Sequence, residues 1–376
     1  MIRTFLATTA RRSPHQRHQR CLYSRVVDLR SDTVTQPSKE MLAFGMSAPT
    51  GDDVFGEDPS VLRLQELLAS KLNKEAALYC PTGTMANLVA ILAHCHGRAS
   101  EIIIGTQSHL CLWEGGNVSN IGGVSTRQIH ELENGQLPLD QVKDVWRLDN
   151  DDHFAKTQVI CLENTHNMMG GVPLPKQYIN DMGSICRTLG VKLHIDGARI
   201  FNATIALEED IHDLCASADT VSICLSKGLG APLGSVLVGD METIRLAKRA
   251  RKRLGGGMRQ AGVVAAMGIY AVEHNVERLA QDHTRAQRMA SEMKVHGFKI
   301  PRNGHVETNI VYFSLPENSL VSKDEFRIRL LTDHGIKLTG GYSRGGEFFR
   351  ICTHLDVNDD DIDRATEAII QTCVTG

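Results

Sequence analysis

Six short runs in this chain read as buried strands: Ala76 to Tyr79, Glu101 to Ile104, Gln158 to Leu162, Val191 to Ile195, Thr220 to Leu225 and Ser235 to Val238. Several are apolar almost throughout instead of at every second residue. A strand with one wet face alternates; a strand that does not alternate needs cover on both faces, as in a parallel sheet. Amphipathic stretches at Ser60 to Leu72, Met85 to His94 and Lys176 to Leu189 lie between the runs and are long enough for crossover helices. The pattern predicts an α/β fold with a mostly parallel central sheet. After a helical region from Gln260 to about Val295 it restarts, with a strand at Asn309 to Phe313, a helix at Lys323 to Asp333, strands near Ile336 and Phe349, and a closing helix from about Asn358. The expected division is a tail over residues 1–25, a large α/β domain over 26–270 and a smaller C-terminal α/β domain over 271–376.

With 376 residues and 42% apolar content, the chain can bury a substantial core. A net charge of -3 gives no general electrostatic footprint for nucleic acid. No run supplies the 18 or more apolar residues of a spanning helix, so a small molecule is the expected partner and a membrane is not. The ten cysteines show no C-x-x-C pairing and read as free, mostly buried thiols in a reducing compartment. His94, Cys95 and His96 are consecutive, and on a helix they splay by about 100 degrees each, so no metal site is expected there. Arg3, Arg11, Arg12, Arg17, Arg20 and Arg25 all precede the first acidic residue, Asp28. That composition reads as a transit peptide to the mitochondrial matrix, or else as a basic tail on a cytosolic enzyme.

Open parallel sheets bind ligands beyond the carboxyl ends of their strands. Asp196-Gly197-Ala198-Arg199 follows one predicted strand there, and Ser226-Lys227-Gly228-Leu229-Gly230 follows another. A lysine that bonds an aldehyde cofactor needs room to swing, which Gly228 and Gly230 are expected to leave. A carboxylate such as Asp196 can keep a pyridine nitrogen protonated, making the ring an electron sink. Pro81-Thr82-Gly83-Thr84, between a strand and a helix, suits a phosphate at a helix start, and equally an ordinary N-cap. His109 could stack on a flat ring or fill a structural role. Glu163-Asn164-Thr165-His166-Asn167 sets polar side chains at a strand end, a costly arrangement unless they are solvated or in a polar pocket, and His166 has a pKa suited to proton transfer.

From about Val27 to its end the chain resembles the low-specificity L-threonine aldolases, fold-type I pyridoxal-phosphate enzymes. The resemblance is carried by Asp28-Leu29-Arg30-Ser31-Asp32-Thr33, Gly51-Asp52-Asp53-Val54, Pro81-Thr82-Gly83-Thr84, Glu163-Asn164-Thr165-His166, His194-Ile195-Asp196-Gly197-Ala198-Arg199, Ser226-Lys227-Gly228-Leu229-Gly230 and Gly255-Gly256-Gly257-Met258-Arg259-Gln260. It implies pyridoxal 5'-phosphate as cofactor, with Lys227 as its Schiff-base lysine, Asp196 as the partner of the pyridine nitrogen, Gly83 and Thr84 in the phosphate cradle and His109 on the ring. It also implies Ser31, Arg199 and Arg350 at the substrate carboxylate, with Arg199 counted among the cofactor residues too. Arg259 and Lys252 would approach the phosphate of a neighbouring subunit in a homotetramer built as a dimer of dimers. The implied reaction is cleavage of the β-hydroxy amino acids L-threonine and L-allo-threonine to glycine and acetaldehyde. His166, His109 or a water remain alternative bases for the β-hydroxyl. Phe55 stands where many relatives have Tyr, and the 166–171 segment is longer and more apolar than in some. A different fold-type I lyase, an aminotransferase and a non-catalytic cofactor-binding homologue are the rival expectations.

Overall fold

The computed structural model describes residues 26–148, 151–340 and 346–374. Its central sheet has seven strands: β1 (Ala76–Cys80), β2 (Ser100–Gly105), β3 (Ser125–Ile129), β4 (Lys156–Glu163), β5 (Lys192–Gly197), β6 (Thr220–Cys224) and β7 (Ser235–Gly239). Their spatial order is β1-β7-β6-β5-β4-β2-β3. Only β7 runs against its neighbours, so the sheet is mostly parallel, as its apolar runs require. One strand, β3, has no counterpart among the expected runs. It forms one edge of the sheet, and its residues Ser-Thr-Arg-Gln-Ile are largely accessible, so nothing there demands a continuous apolar run.

Several of the helices begin with side-chain caps. Asp58 accepts from the amides of Ser60 and Val61 at the start of α1 (Pro59–Lys71). The Thr82 hydroxyl accepts from the Met85 amide at the start of α2 (Gly83–His94). Next come the amphipathic α3 (Lys176–Leu189) and the basic α4 (Met241–Arg253). Lys248 to Arg253 reads in sequence as a solvated basic face, yet Arg251 is only 2% exposed. Helix α4 packs on α2 and β1, which turns Arg251 inward onto the Asp53 carboxylate at 2.7 Å and the Tyr79 carbonyl. The helical region expected from Gln260 is two helices, α5 (Gly262–His274) and α6 (Leu279–Val295). At the break between them the Asn275 amide donates to the Leu229 carbonyl at 2.7 Å, tying it to the loop that carries Lys227.

A second sheet of β8 (Ile310–Phe313), β9 (Thr339–Gly340) and β10 (Phe349–Cys352), in the order β9-β10-β8, is antiparallel. It shares a core with α6, α7 (Lys323–His334) and α8 (Asp359–Val374), centred on Phe298, Phe313, Phe326 and Phe349. Val27–Asp28 pairs in parallel with Ile336–Lys337, and Val27 and Leu29 are buried in this second core. Among the described residues, no helix is long and apolar enough to cross a membrane. The nine described cysteines are free, and eight of them are buried.

Candidate active site

The parallel strands end along one rim of the central sheet, and β7 enters at the same rim. A cavity of about 230 Å³ opens there, lined by Thr82, Gly83, His109, Asp196 and Lys227 among others. Gly83 is needed for close packing: a Cβ there would lie 2.6 Å from the Cys224 sulfur at the end of β6. Behind Lys227, Gly230 adopts a φ of +78° and its amide donates to the Lys227 carbonyl at 2.8 Å. A side chain at Gly230 would run into Leu355, and one at Gly228 into Leu279. These glycines therefore shape and pack the turn, where the sequence suggested that they clear space for the lysine. The Thr35 hydroxyl fastens the same carbonyl at 3.1 Å.

Asp196 sits at the end of β5, in register with Glu163 of β4 and Ser222 of β6. One of its oxygens accepts from the Ala198 amide at 3.1 Å and the other from the Asn87 side chain at 2.8 Å. The remaining Asn87 amide hydrogen goes to the Glu114 carboxylate at 2.8 Å. Glu114 Oε1 also contacts His109 Nδ1 at 3.0 Å, so one asparagine and one glutamate couple the imidazole to the aspartate. Burial opposes a charge on His109, but the hydrogen bond to Glu114 and the fields of Asp196 and Glu163 outweigh it, and its pKa lies above the ordinary value.

Glu163 bridges the next pair of loops, accepting from the His109 amide at 2.6 Å and the Asn167 amide at 2.9 Å. His166 is buried at 2% exposure, outside the cavity lining, with Nε2 3.3 Å from Glu131 Oε1. An ionised carboxylate needs a donor, so Nε2 carries the hydrogen and Nδ1 keeps a lone pair. That Nδ1 is buried and has no hydrogen-bond partner among the described residues. Burial works against a charged imidazole here too, but Glu163 and Glu131 overcome it and raise the His166 pKa. On Glu131 burial pushes up and the bond from His166 pushes down; the net displacement is downward.

The segment Arg30–Asp32 brings together the three residues expected at a substrate carboxylate. Arg199 grips Asp32 through two parallel bonds of 2.8 and 2.7 Å, both partners buried. Arg199, expected at the substrate carboxylate, thus makes a two-pronged bond within the chain, because Asp32 is brought beside it. Arg350 donates to the Asn167 side-chain oxygen at 2.8 Å and the Arg30 carbonyl at 2.9 Å. Ser31 lies between and caps a short turn by accepting from the Thr33 amide. Arg259 stands away from the cavity, more than half exposed and paired with Asp52 at 2.8 Å, and Lys252 does not line the cavity either. Phe55 is 74% exposed.

Asp32, Asn87, Glu114 and Glu131 are the site residues whose part was not foreseen. Asn87 alone carries a sequence signal, as a single amide in an otherwise apolar helix, where a buried polar group has to find partners.

Residues 28–316 match the beta-eliminating lyase family. The low specificity L-threonine aldolase of Escherichia coli strain K12 is 42% identical over 334 residues, covering 89% of this chain and 95% of that protein. Low-specificity L-threonine aldolase 1 of Arabidopsis thaliana is 41% identical over 353 residues, with coverages of 93% and 97%. Among solved structures, a threonine aldolase from Leishmania major superposes with a TM-score of 0.77 at 18% identity, covering 92% of this chain and 99% of that one, which bears on the fold. With identity sustained over nearly the whole length of such relatives, the chain belongs to the low-specificity L-threonine aldolases, within the beta-eliminating lyase family.

Proposed function

We propose that this protein cleaves L-threonine and L-allo-threonine to glycine and acetaldehyde with pyridoxal 5'-phosphate as its cofactor. The observation that carries the reading is one cavity lined by an amine, Lys227, a carboxylate, Asp196, an imidazole, His109, and a helix start at Thr82 to Thr84. These groups fit the cofactor's aldehyde, ring nitrogen, ring face and phosphate respectively. When bound, the cofactor supplies an aldehyde that takes up an amino group and a protonated ring that withdraws electrons from the breaking bond.

Lys227 would hold the cofactor in the resting enzyme, and Asp196, fixed by Asn87 and the Ala198 amide, would serve as the partner of its ring nitrogen. Arg350 and Ser31 bind the substrate carboxylate, flanked by Arg199 in the orientation that Asp32 gives it. His166 accepts the β-hydroxyl proton at Nδ1, directly or through a water, while Glu131 holds its other nitrogen. Loss of that proton lets the aldehyde leave, and a proton added at Cα completes glycine.

The chain also works, in this reading, as a homotetramer in which Arg259 and Lys252 reach a neighbouring subunit's cofactor phosphate. The support is their position outside their own cavity together with the resemblance. The arginine-rich residues 1–25, which lie outside the described residues, direct it to mitochondria, where cleavage of threonine would supply glycine. A reporter fused to these residues that stays diffuse in the cytosol would reject that address.

The central test incubates purified holoenzyme with each amino acid and quantifies both products. Equimolar glycine and acetaldehyde without added keto acid is the expected result. Dependence on a keto acid would reassign the protein as an aminotransferase, ammonia release as an eliminating lyase, and bound cofactor with no turnover as a non-catalytic homologue.

A further inference from the structure

Behind the site a series of buried polar groups continues inward from Asn87. Asn87 faces two carboxylates with its nitrogen, Glu114 and Asp196, each at 2.8 Å. Both carboxylates require donors, so the amide cannot be turned over, and its oxygen must face the other way. On that side lie the Ser222 hydroxyl at 2.6 Å and His194 Nε2 at 3.1 Å. An amide oxygen only accepts, so His194 carries its hydrogen on Nε2. Burial pushes the His194 pKa down to about 4, which keeps the ring neutral and its Nδ1 an acceptor. Nδ1 lies 2.9 Å from the Thr220 hydroxyl, which must donate to it. That hydroxyl has a single hydrogen, so its contact with His94 Nε2, also 2.9 Å, is one in which His94 donates. His94 is buried as well and its pKa is likewise pushed down to about 4.

Every hydrogen in the series therefore has an assigned direction, from His94 through Thr220, His194 and Asn87 to Asp196. The geometry points to Thr220 and His194 as positioning residues that act through Asn87 to hold the Asp196 carboxylate in its working orientation. The inference rests on the reading of Asp196 as the partner of the cofactor's ring nitrogen. It gives a use to two buried histidines that do not line the cavity. It also explains why β5 and β6 carry a polar pair, His194 and Thr220, at matched buried positions.

The test has two arms. In the first, nitrogen-15 histidine spectra of the full-length apoprotein at neutral pH, assigned with His94→Gln and His194→Gln, report both tautomers. Both rings are expected neutral with hydrogen on Nε2; a charged His194, or one with hydrogen on Nδ1, overturns the chain of directions without any variant having to work. In the second, Thr220→Val removes the hydroxyl at nearly constant shape, and Thr220→Ser restores it. The Val protein is expected to show a displaced visible absorption maximum of the bound cofactor and at least a tenfold lower kcat with KM changed less than twofold. The Ser protein should return both toward wild type. A Val protein with the wild-type spectrum and kcat overturns the proposal. Asp196→Asn is run alongside: a wild-type cofactor spectrum there defeats the reading of Asp196 itself, an outcome separate from a wrong tautomer.

Discussion

Asp32 is fully buried and remains charged because Arg199 lies against it. Burial alone would raise its pKa, and the guanidinium, with help from Lys227, holds it far below the usual carboxylate range instead. Asp32→Asn leaves a buried guanidinium without its counter-charge, and urea unfolding should show a loss of about 3–5 kcal/mol. A variant as stable as wild type would contradict this account. A depressed carboxylate pKa contributes stability that is present above the unfolded value of about 3.9 and disappears as pH falls towards the folded one. The difference between wild type and Asp32→Asn should accordingly shrink in acid. His166 has the opposite sign. Its raised pKa contributes stability below about 6.5 that is lost as pH rises through the folded value, and the ring can accept a proton only above that value. The acid limb of kcat/KM should therefore lie above 6.5, and Glu131→Gln should move it down; a limb that stays in place would remove His166 from the base role. Lys227, Asp196 and His109 were legible because each stands at the end of an apolar strand or a short loop beyond it. Asp32 and Glu131 were not, since a lone acid in a loop looks the same whether it meets water or a buried cation.

At the level of elements, the tightest joint in the site is the start of α2 against the end of β6. Gly83→Ala forces a methyl to within 2.6 Å of the Cys224 sulfur, and overpacking of this kind costs about 1–3 kcal/mol. The helix start should shift, and cofactor affinity should fall about tenfold on the scale of that strain when measured by absorbance titration. Cys224→Ala in the same protein removes the obstacle and should recover most of the affinity. Equal losses in the single and double variants would show that the clash is not the cause. The same dependence on neighbours explains what the sequence showed of the elements. Six strands were readable because cover on both faces demands apolar residues, whereas β3 is left largely accessible and is free to be polar. Arg251 looked like a surface charge because nothing in α4 itself reveals that α2 and β1 bury that side.

For the molecule as a whole, the proposed sharing of sites between subunits makes a prediction of its own. Lys227→Ala and Arg259→Ala should each be nearly inactive, and each lacks what the other retains. If Arg259 serves a neighbour, mixing and reassembling the two should restore about a quarter of wild-type activity, since half the dimers are mixed and each carries one intact site. Mixtures no better than their parents would place Arg259 outside the neighbouring site. Such long-range placement leaves little trace in a linear sequence, and neither does the pairing of Val27–Asp28 with Ile336–Lys337 across the length of the chain. That pairing has a mechanical consequence. Ser31 and the Arg30 carbonyl ride on a segment paired with Ile336–Lys337 and bonded through the Leu29 carbonyl to the Cys352 amide of the second sheet, which also carries Arg350, whereas Lys227 and Asp196 are set in the first. The Asp32–Arg199 pair is then a cross-brace between the two frameworks, an ionic strut that helps gauge the reach from the carboxylate grip to the reacting bond.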